Sequence, residues 1–183
     1  MSNIRVIDNF LTQEELNEAR FIVENLKWNY GHVSNETGFK FWVCDLGEND
    51  FFSKHIFQKI EKYFGKKYEI NRVYANGQTY GLDGSYHKDD ERDNCYTFLM
   101  YLSDINHENV NEFDGHTLFK YDKKVTSIEP ILNRCVLFKS NILHKGMAPS
   151  RSSNMLRISV AFKLREIKCK KIYEGTRHRY WVS

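Results

Sequence analysis

The hydrophobic pattern of the chain changes at Gly65, and this change constrains the fold more than any other feature. Before Gly65, apolar residues recur at helical spacing over two stretches; after it, short apolar or alternating runs are separated by clusters of Gly, Asn and Asp. Several short strands in succession favour an all-β sandwich or barrel over alternating strand–helix units. We expect these strands at residues 68–75, 96–103, 116–119, 125–128, 135–138 and 156–164.

Two helices are expected in the N-terminal part. Thr12, with Glu15 three residues later, forms a capping-box pattern, and the apolar spacing that follows predicts an amphipathic helix over residues 13–27. A second helix is predicted over residues 50–64, because its apolar face is followed by a glycine, which is typical of a helix C-terminus. Residues 4–10, ahead of the first helix, favour a short strand.

The chain of 183 residues fits one domain, which is long enough to bury a core. We expect helical support over about residues 1–66, a β core over about 67–164 and a basic segment over 165–183. The aromatic content of 15% suits sheet packing, because aromatic side chains fit pleated, half-buried surfaces. The predicted fold class is therefore mainly β with flanking helices, the two N-terminal helices covering one face of a sheet.

The composition excludes several classes of protein. A net charge of +3, from 27 basic and 24 acidic residues, is too balanced to indicate nucleic-acid binding. No apolar run approaches the roughly 18 residues of a membrane span, and the N-terminus has no signal-peptide pattern. The four cysteines form no C-x-x-C pair, so a thiolate zinc site is not indicated. A cytoplasmic location is expected, and the basic residues of 163–183 form either a solvated segment or a docking strip for an acidic partner.

The segment around His87 has the spacing of a metal site. On an extended chain, residues i and i+2 point to the same side, so His87 and Asp89 can reach one ion together, whereas Asp90 cannot. His144, which follows the strand expected at 135–138, is the best candidate for a third ligand. Two histidines and one carboxylate on one face leave three positions open, the arrangement of iron(II) oxygenases. The alternative is an acidic surface loop, since Asp90 is followed by a glutamate.

A charged residue interrupts the last apolar strand. On strict alternation, Arg157, Ser159 and Ala161 share one face, and the apolar residues between them share the other. An arginine on an inward face needs a partner, because a buried unpaired charge is costly. A carboxylate, which can accept two parallel hydrogen bonds from a guanidinium group, is the natural partner. The alternative is an edge-strand arginine that points to solvent.

The order of these motifs resembles a known family. His-x-Asp, then a distal histidine, then Arg-x-Ser on the last core strand is similar to the 2-oxoglutarate/iron(II) dioxygenase superfamily, and more narrowly to its prolyl 4-hydroxylase-like branch. The resemblance covers about residues 4–164. Further segments that match in order are residues 7–11, 72–78, 97–104, 115–119, 128–130 and 135–138.

The resemblance implies a fold and a metal. The fold would be a distorted double-stranded β-helix, a jelly roll, with the metal inside its mouth. His87, Asp89 and His144 would be the catalytic ligands of iron(II), with dioxygen as oxidant and ascorbate as a possible accessory reductant. Halogenases of this family lack the carboxylate, so Asp89 favours hydroxylation over halogenation.

The resemblance also assigns a co-substrate site. Arg157 would pair with the distal carboxylate of 2-oxoglutarate, and Ser159 would hydrogen-bond it. Tyr74, Tyr101 and Thr117 match positions that often contact the co-substrate, although inward-facing Tyr and Thr residues are also common packing residues.

The implied activity is hydroxylation of a peptidyl, prolyl-like substrate or of a small molecule, with release of succinate and carbon dioxide. Demethylation or desaturation with the same cofactors is an alternative. A non-catalytic β-helix module that acts as a binding or sensor domain is another. The aromatic residues Trp28, Tyr30, Phe41 and Trp42 could line the mouth of the site or cover the core.

Two departures from the family pattern concern the loops and the arginine. Residues 80–86 are longer than the usual approach to His-x-Asp and form either a lid or a plain loop, and many prolyl hydroxylases have Lys in place of Arg157.

The remaining cysteines and histidines have structural interpretations. Cys95 and Cys135 are expected in the core, His116 is expected to face away from the site, and the histidines expected on the surface are His32, His55, His107 and His178.

Overall fold

The computed structural model describes residues 4–34, 38–121 and 123–167. Within these ranges it has ten strands, three α-helices and one π-helical segment. Their order is β1 (Ile4–Ile7), α1 (Gln13–Asn25), β2 (Asn29–His32), β3 (Phe41–Asp45), a π-helical segment (Phe51–Ile56) that continues as α2 (Phe57–Phe64), β4 (Tyr68–Gln78), β5 (Cys95–Tyr101), α3 (Val110–Phe113), β6 (Thr117–Tyr121), β7 (Lys124–Ile128), β8 (Cys135–Lys139), β9 (Leu143–Gly146) and β10 (Arg157–Glu166).

The strands of the described residues form two antiparallel sheets. The larger sheet has seven strands in the order β1-β8-β5-β10-β4-β3-β2, and the smaller has three in the order β7-β6-β9. Phe119 of β6 lies in a buried cluster with residues of β4, β5, β8 and β10, so the smaller sheet packs against one face of the larger. This is the arrangement of a distorted double-stranded β-helix, and the predicted fold class is confirmed.

The helices cover the other face of the larger sheet. Leu16, Ala19 and Val23 of α1 are buried in the main hydrophobic cluster together with apolar residues of β4, β5 and β10. Burying a large aliphatic or aromatic side chain stabilises a protein by about 1.5–3 kcal/mol, so this layer supplies much of the stability. The alternation predicted for β10 is observed here, since Val160 and Phe162 face the helices.

The first helix begins as its sequence predicts. The Thr12 side chain accepts a hydrogen bond from the Glu15 N–H, and the Glu15 carboxylate accepts one from the Thr12 N–H at 2.9 Å. The helix ends at Asn25, two residues before the predicted end. The second helix differs more, because residues 51–56 are wound as a π-helix. Phe52 and Ile56 are both buried, and their spacing of four residues is compatible with either winding.

Three strands and a short helix were not predicted. β2 and β3 lie at one edge of the larger sheet, β9 is an edge strand of the smaller one, and α3 has four residues. β2 and β9 have few apolar residues, and no alternation in their sequences marks them. They form because neighbouring strands offer unpaired backbone groups, which is a tertiary effect. No helix among the described residues is long and apolar enough to span a membrane.

The N-terminal segment is held to the turn before β8 by polar contacts. The Asn133 side chain accepts a hydrogen bond from the Leu11 N–H at 2.8 Å and donates one to the Leu11 carbonyl at 2.9 Å. Arg134 donates two hydrogen bonds to the Asp8 carboxylate, at 2.6 and 3.1 Å. β1 pairs with β8 beside these contacts, so the segment that leads into α1 is fixed to the larger sheet.

Asp8→Asn is expected to lower the free energy of unfolding by about 1 kcal/mol or less at neutral pH, because half of the Asp8 side chain is exposed. The hydrogen bonds from Arg134 hold the pKa of Asp8 below its ordinary value. The stabilisation is therefore present above the unfolded-state pKa of about 4 and is lost as the pH falls through the folded-state pKa. Urea unfolding of both proteins at about pH 7 and at successively lower pH tests this.

Glu18→Gln, a change at an exposed residue of α1, is the matched control and should leave the free energy of unfolding unchanged. A difference between the wild type and Asp8→Asn that stays constant down to low pH would contradict the assigned ion pair.

Candidate functional site

A cavity of about 410 Å³ opens between the two sheets. Its floor is the inner face of β10, where Arg157, Ser159, Ala161 and Lys163 line it in alternation. His144 of β9 lies across from this floor. The site therefore depends on both sheets, and its chemistry is decided by which side chains each strand turns inward.

The backbone brings the two histidines of the predicted metal site together. His87 and His144 form an isolated antiparallel bridge, in which each N–H donates to the carbonyl of the other at 3.0 Å. Their rings consequently lie side by side, with centroids 4.4 Å apart. His144 was expected just after a strand, whereas it lies within β9, which pairs with β6.

Asp89 completes a cluster with the geometry of a metal site. His87 Nε2 lies 3.3 Å from Asp89 Oδ1, and His144 Nε2 lies 3.4 Å from Asp89 Oδ2. One ligand atom from each of the three residues lies within 4.8 Å of the others, so a single ion can contact all three. Asp89 is placed by its own N–H, which donates to the Ser140 carbonyl at 2.9 Å.

The hydrogen bonds of the histidines orient them for a metal. His87 Nδ1 lies 2.9 Å from the Ser85 carbonyl oxygen, and His144 Nδ1 lies 2.9 Å from that of Ile142. A carbonyl accepts only from N–H, so each Nδ1 carries the proton and each Nε2 presents a lone pair toward Asp89. Burial lowers the pKa of His144 to about 4, which keeps this imidazole neutral and able to ligate at physiological pH.

The Asp89 carboxylate is held in its charged form. Burial alone would raise its pKa, but the charge of Lys163 and the hydrogen bond that Lys163 donates hold the pKa well below its ordinary value. Lys163 forms an ion pair with Asp89 Oδ2, and the Thr97 hydroxyl donates to the same oxygen at 2.5 Å. Asp90, in contrast, binds Arg92 at 2.6 Å and takes no part in the cluster.

Arg157 is a fully buried cation at the inner end of the cavity. Its guanidinium group donates to the Gly115 carbonyl at 2.5 Å, to Gln78 Oε1 at 2.8 Å and to Thr117 Oγ1 at 2.8 Å. These acceptors are neutral, and among the described residues none of the ion pairs involves Arg157. Burial lowers its pKa as a result. A buried guanidinium with only neutral partners is a site for a carboxylate ligand.

Four of the five residues predicted to contact a co-substrate line the cavity, namely Tyr74, Thr117, Arg157 and Ser159. Tyr101 does not line it. This side chain is completely buried, and its hydroxyl donates to Thr117 Oγ1 at 2.7 Å. Its place is behind Thr117, where it orients the hydroxyl that accepts from Arg157.

The sequence interpretation missed several residues of the site. Lys163 continues the alternation of Arg157, Ser159 and Ala161, and that pattern could have identified it. Gln78, Thr97 and Arg72 line the cavity from β4 and β5; they lie in segments that match the family, but the resemblance assigns no site role to them.

The prediction that His32 is a surface residue is wrong. It lines the cavity on β2, with its ring centroid 5.6 Å from that of Tyr74, because β2 forms only by pairing with β3.

The other aromatic residues considered for the mouth divide between two faces. Phe41 lines the cavity, whereas Trp28 packs on the main hydrophobic cluster. A Cβ at Gly77 would lie 2.9 Å from the Trp28 ring, so glycine is needed for this approach. Tyr30 and Trp42 are partly exposed, with ring centroids 5.1 Å apart.

The remaining histidines and cysteines lie largely as expected. His55 and His107 are exposed, and His116 does not line the cavity and bonds Asp114 at 2.9 Å. Cys95 and Cys135 are buried. His178 and most of the basic segment, residues 168–183, lie outside the described residues.

The loop over residues 80–86 is hydrogen-bonded to the segment that follows His144. The Gly84 N–H donates to the Gly146 carbonyl at 2.8 Å, and Asp83 Oδ1 accepts from the Ala148 N–H at 2.7 Å. Gln78 also donates to the Leu82 carbonyl at 2.7 Å. These contacts connect the loop to β4 and β9, the strands that carry the site.

Several solved structures share this fold. A prolyl hydroxylase from Trichoplax adhaerens, in complex with a hypoxia inducible factor peptide, superposes with a TM-score of 0.69 at 16% identity, over 90% of this chain and 84% of that one. HygX from Streptomyces hygroscopicus, with nickel and 2-oxoglutarate bound, superposes with a TM-score of 0.70 at 11% identity, over 90% of this chain and 83% of that one. A prolyl-4-hydroxylase from Pseudomonas putida superposes with a TM-score of 0.64 at 16% identity, over 89% of this chain and 92% of that one.

Sequence comparison identifies the family. Comparison with curated protein sequences gives no significant match. The family model described as the 2OG-Fe(II) oxygenase superfamily matches residues 68–164, which is more than half of the chain and includes the His87, Asp89 and His144 cluster with Arg157. The chain therefore belongs to the 2OG-Fe(II) oxygenase superfamily, whose metal is iron(II) and whose co-substrate is 2-oxoglutarate.

Proposed function

We propose that this dioxygenase hydroxylates a C–H bond of a peptidyl, prolyl-like substrate or of a small molecule, releasing succinate and carbon dioxide. The observation that carries the proposal is that the His87, Asp89 and His144 cluster and the buried cation Arg157 open into one cavity. The cluster suits a metal, and the cation suits the far end of a dicarboxylate.

The three ligands would hold iron(II) through His87 Nε2, His144 Nε2 and an oxygen of Asp89. Three protein ligands leave three positions of an octahedral ion open, as an oxygenase requires for a chelating co-substrate and dioxygen. Bound iron(II) and 2-oxoglutarate would supply the chemistry, an oxidation of a substrate C–H bond by dioxygen coupled to conversion of the co-substrate to succinate and carbon dioxide. Thr97 and Lys163 hold the Asp89 carboxylate, so the ligand is oriented before the metal arrives.

Arg157 would bind the distal carboxylate of 2-oxoglutarate. Its guanidinium is already fixed by Gly115, Gln78 and Thr117, so little conformational entropy is lost on binding. Ser159 lies 3.3 Å from the same guanidinium and offers a hydroxyl beside it. The buried position strengthens the ion pair, because the surrounding dielectric constant is low.

The side chains around the metal cluster limit the access of water. Leu99 and Phe138 line the cavity beside Tyr74, and Phe138 packs edge-on against His144 with centroids 4.7 Å apart. These apolar side chains form part of an otherwise polar lining, and they reduce the contact of water with the metal ligands that they cover.

Both proposed substrate classes occur among proteins of this fold. The Trichoplax adhaerens enzyme was solved with a peptide fragment, and HygX was solved with hygromycin B. SnoN, a non-heme epimerase from nogalamycin biosynthesis, favours a second candidate function, a different oxidation that uses the same cofactors. The oriented Nε2 atoms, and a buried guanidinium with no acidic partner in the part of the chain that the structure describes, weigh against a purely non-catalytic binding or sensor module.

Succinate formation is the direct test of the proposed activity. Purified protein with iron(II), 2-oxoglutarate and dioxygen should form succinate, and a substrate should increase its rate, with one hydroxyl added to that substrate for each succinate. Mass spectrometry of succinate and of the candidate substrate measures both. If succinate formation were coupled to an epimer or a desaturated product, the second candidate function would replace hydroxylation. Failure to bind 2-oxoglutarate in the presence of iron(II) would exclude dioxygenase activity.

Adjacent aspartates provide a matched test of the metal site. Asp89→Ala should weaken iron(II) binding by roughly a hundredfold or more, because even outer-shell partners of metal ligands are worth 10–100-fold. Asp90→Ala should leave iron(II) affinity unchanged, since Asp90 is bound to Arg92. Anaerobic titration with iron(II), with thermal melting to verify folding, distinguishes the two; equal effects of both substitutions would refute the assignment.

Arginines of one strand test the co-substrate site. Arg157→Gln should weaken 2-oxoglutarate binding by about 3 kcal/mol, or roughly a hundredfold, because the distal carboxylate loses a buried charged partner. Arg165→Gln, which removes an exposed partner of Glu69 on the same strand, is the control and should have no effect. Anaerobic calorimetric titration of the iron(II)-loaded proteins with 2-oxoglutarate measures both affinities, and an unchanged value for Arg157→Gln would exclude its role.

A further inference from the structure

Two cations lie side by side at the end of the cavity opposite Arg157. Arg72 of β4 and Lys163 of β10 are direct partners in the strand register, and both line the cavity. The Arg72 guanidinium carbon lies 4.2 Å from the Tyr74 ring centroid, and Lys163 Nζ lies 5.7 Å from it. Arg72 is exposed and Lys163 is half-buried. Like charges directly opposite each other on antiparallel strands are destabilising, so an anion bound between them would stabilise the pair.

The described residues supply an acid for Lys163 but none for Arg72. Among them, the ion pairs include none for Arg72, and Asp89 is the acid that pairs with Lys163. The acids next along the chain are already occupied, since Asp90 binds Arg92 and Glu91 binds Lys88. The ammonium group of Lys163 has three donors; with one directed to Asp89 and one to Tyr74, a third remains for another ligand.

Bound cofactors would not neutralise this pair. Under the proposed function, on which this inference rests, the cavity holds iron(II) and dianionic 2-oxoglutarate. The ferrous dication and Arg157 bring three positive charges, and Asp89 with the two carboxylates of 2-oxoglutarate brings three negative charges. These cancel, so the charges of Arg72 and Lys163 are left over.

His32 responds to the same positive potential. Its ring packs against Tyr74, with centroids 5.6 Å apart. Burial first, and then the charges of Arg72, Lys163 and His87, lower its pKa. A neutral imidazole at this position offers a hydrogen bond to a ligand without adding to the charge.

We propose that Arg72 and Lys163 form a binding subsite for an anionic group of the substrate, so that the substrate is an acid carrying a carboxylate, phosphate or sulfate group. Arg72 presents a planar fork that suits two oxygens of one anion, and Lys163 presents a compact point charge beside the metal ligand Asp89. An acid bound between them holds the neighbouring carbon atoms of the substrate over the metal cluster. The subsite selects acidic substrates over neutral ones of similar shape.

Sulfate and acetate are the probes that test the subsite, the first for tetrahedral anions and the second for carboxylates. Each is titrated at constant ionic strength into protein saturated with iron(II) and 2-oxoglutarate under anaerobic conditions, with calorimetric detection. We expect saturable binding of at least one probe, weakened about tenfold or more by Arg72→Gln and by Lys163→Met. The probe that binds more tightly identifies the kind of anion.

Lys124→Gln is the matched control, because Lys124 is an exposed lysine on β7 that does not line the cavity. The Lys124→Gln variant should bind the probe with the same affinity as the wild type. Arg72→Gln is the decisive variant, since Arg72 does not contact a metal ligand. If the anion bound directly to the metal, or if Lys163 served only to position Asp89, Arg72→Gln would leave the affinity for the probe unchanged. That result would overturn the proposal.

The same titrations separate this inference from the proposed function. Loss of iron-dependent 2-oxoglutarate binding in the wild type would refute the proposed function. Normal 2-oxoglutarate binding together with no binding of sulfate or acetate would refute the anion subsite alone.

Discussion

The reciprocal backbone hydrogen bonds between His87 and His144 are the contact on which the rest of the site depends. His144 lies on β9 of the smaller sheet, and His87 lies between β4 and β5 of the larger one. Their pairing connects the two sheets at the mouth of the cavity and fixes both imidazoles relative to each other. Asp89, two residues further along, is then directed between them, with its N–H bound to the Ser140 carbonyl.

Charge is distributed along the cavity in a fixed order. Arg157, a cation with no acidic partner among the described residues, lies at the inner end, and the anionic Asp89 lies at the metal cluster. Arg72 and Lys163 lie at the outer end. This order suits a different ligand at each position: a dicarboxylate inside, a metal in the middle and, as we propose, an acidic substrate group outside. The ladder of β10 with β4 sets the spacing, because Arg157 pairs with Gln78 and Lys163 pairs with Arg72.

Much of the fold was predictable because its determinants are local. The capping box of Thr12 and Glu15, the glycine that ends α2 and the alternation of β10 each act over a few residues, and the elements that they predict are present. The short strands β2 and β9 were not predictable, because their sequences have no strand pattern and they form by pairing with neighbours. The misplacement of His32 has the same origin, since its strand exists only in the folded sheet.

The sequence by itself determined the residue types and spacings of the candidate site: His-x-Asp on one side of an extended segment, and a charged residue on the inner face of an apolar strand. Alternation along a strand follows from backbone geometry alone, so these relations can be read without a structure. Only the tertiary structure decided that His144 meets His87, that Tyr101 lies behind Thr117, and that Arg72 lies beside Lys163. These relations join residues distant in sequence, and they depend on strand order and register, which no local pattern encodes.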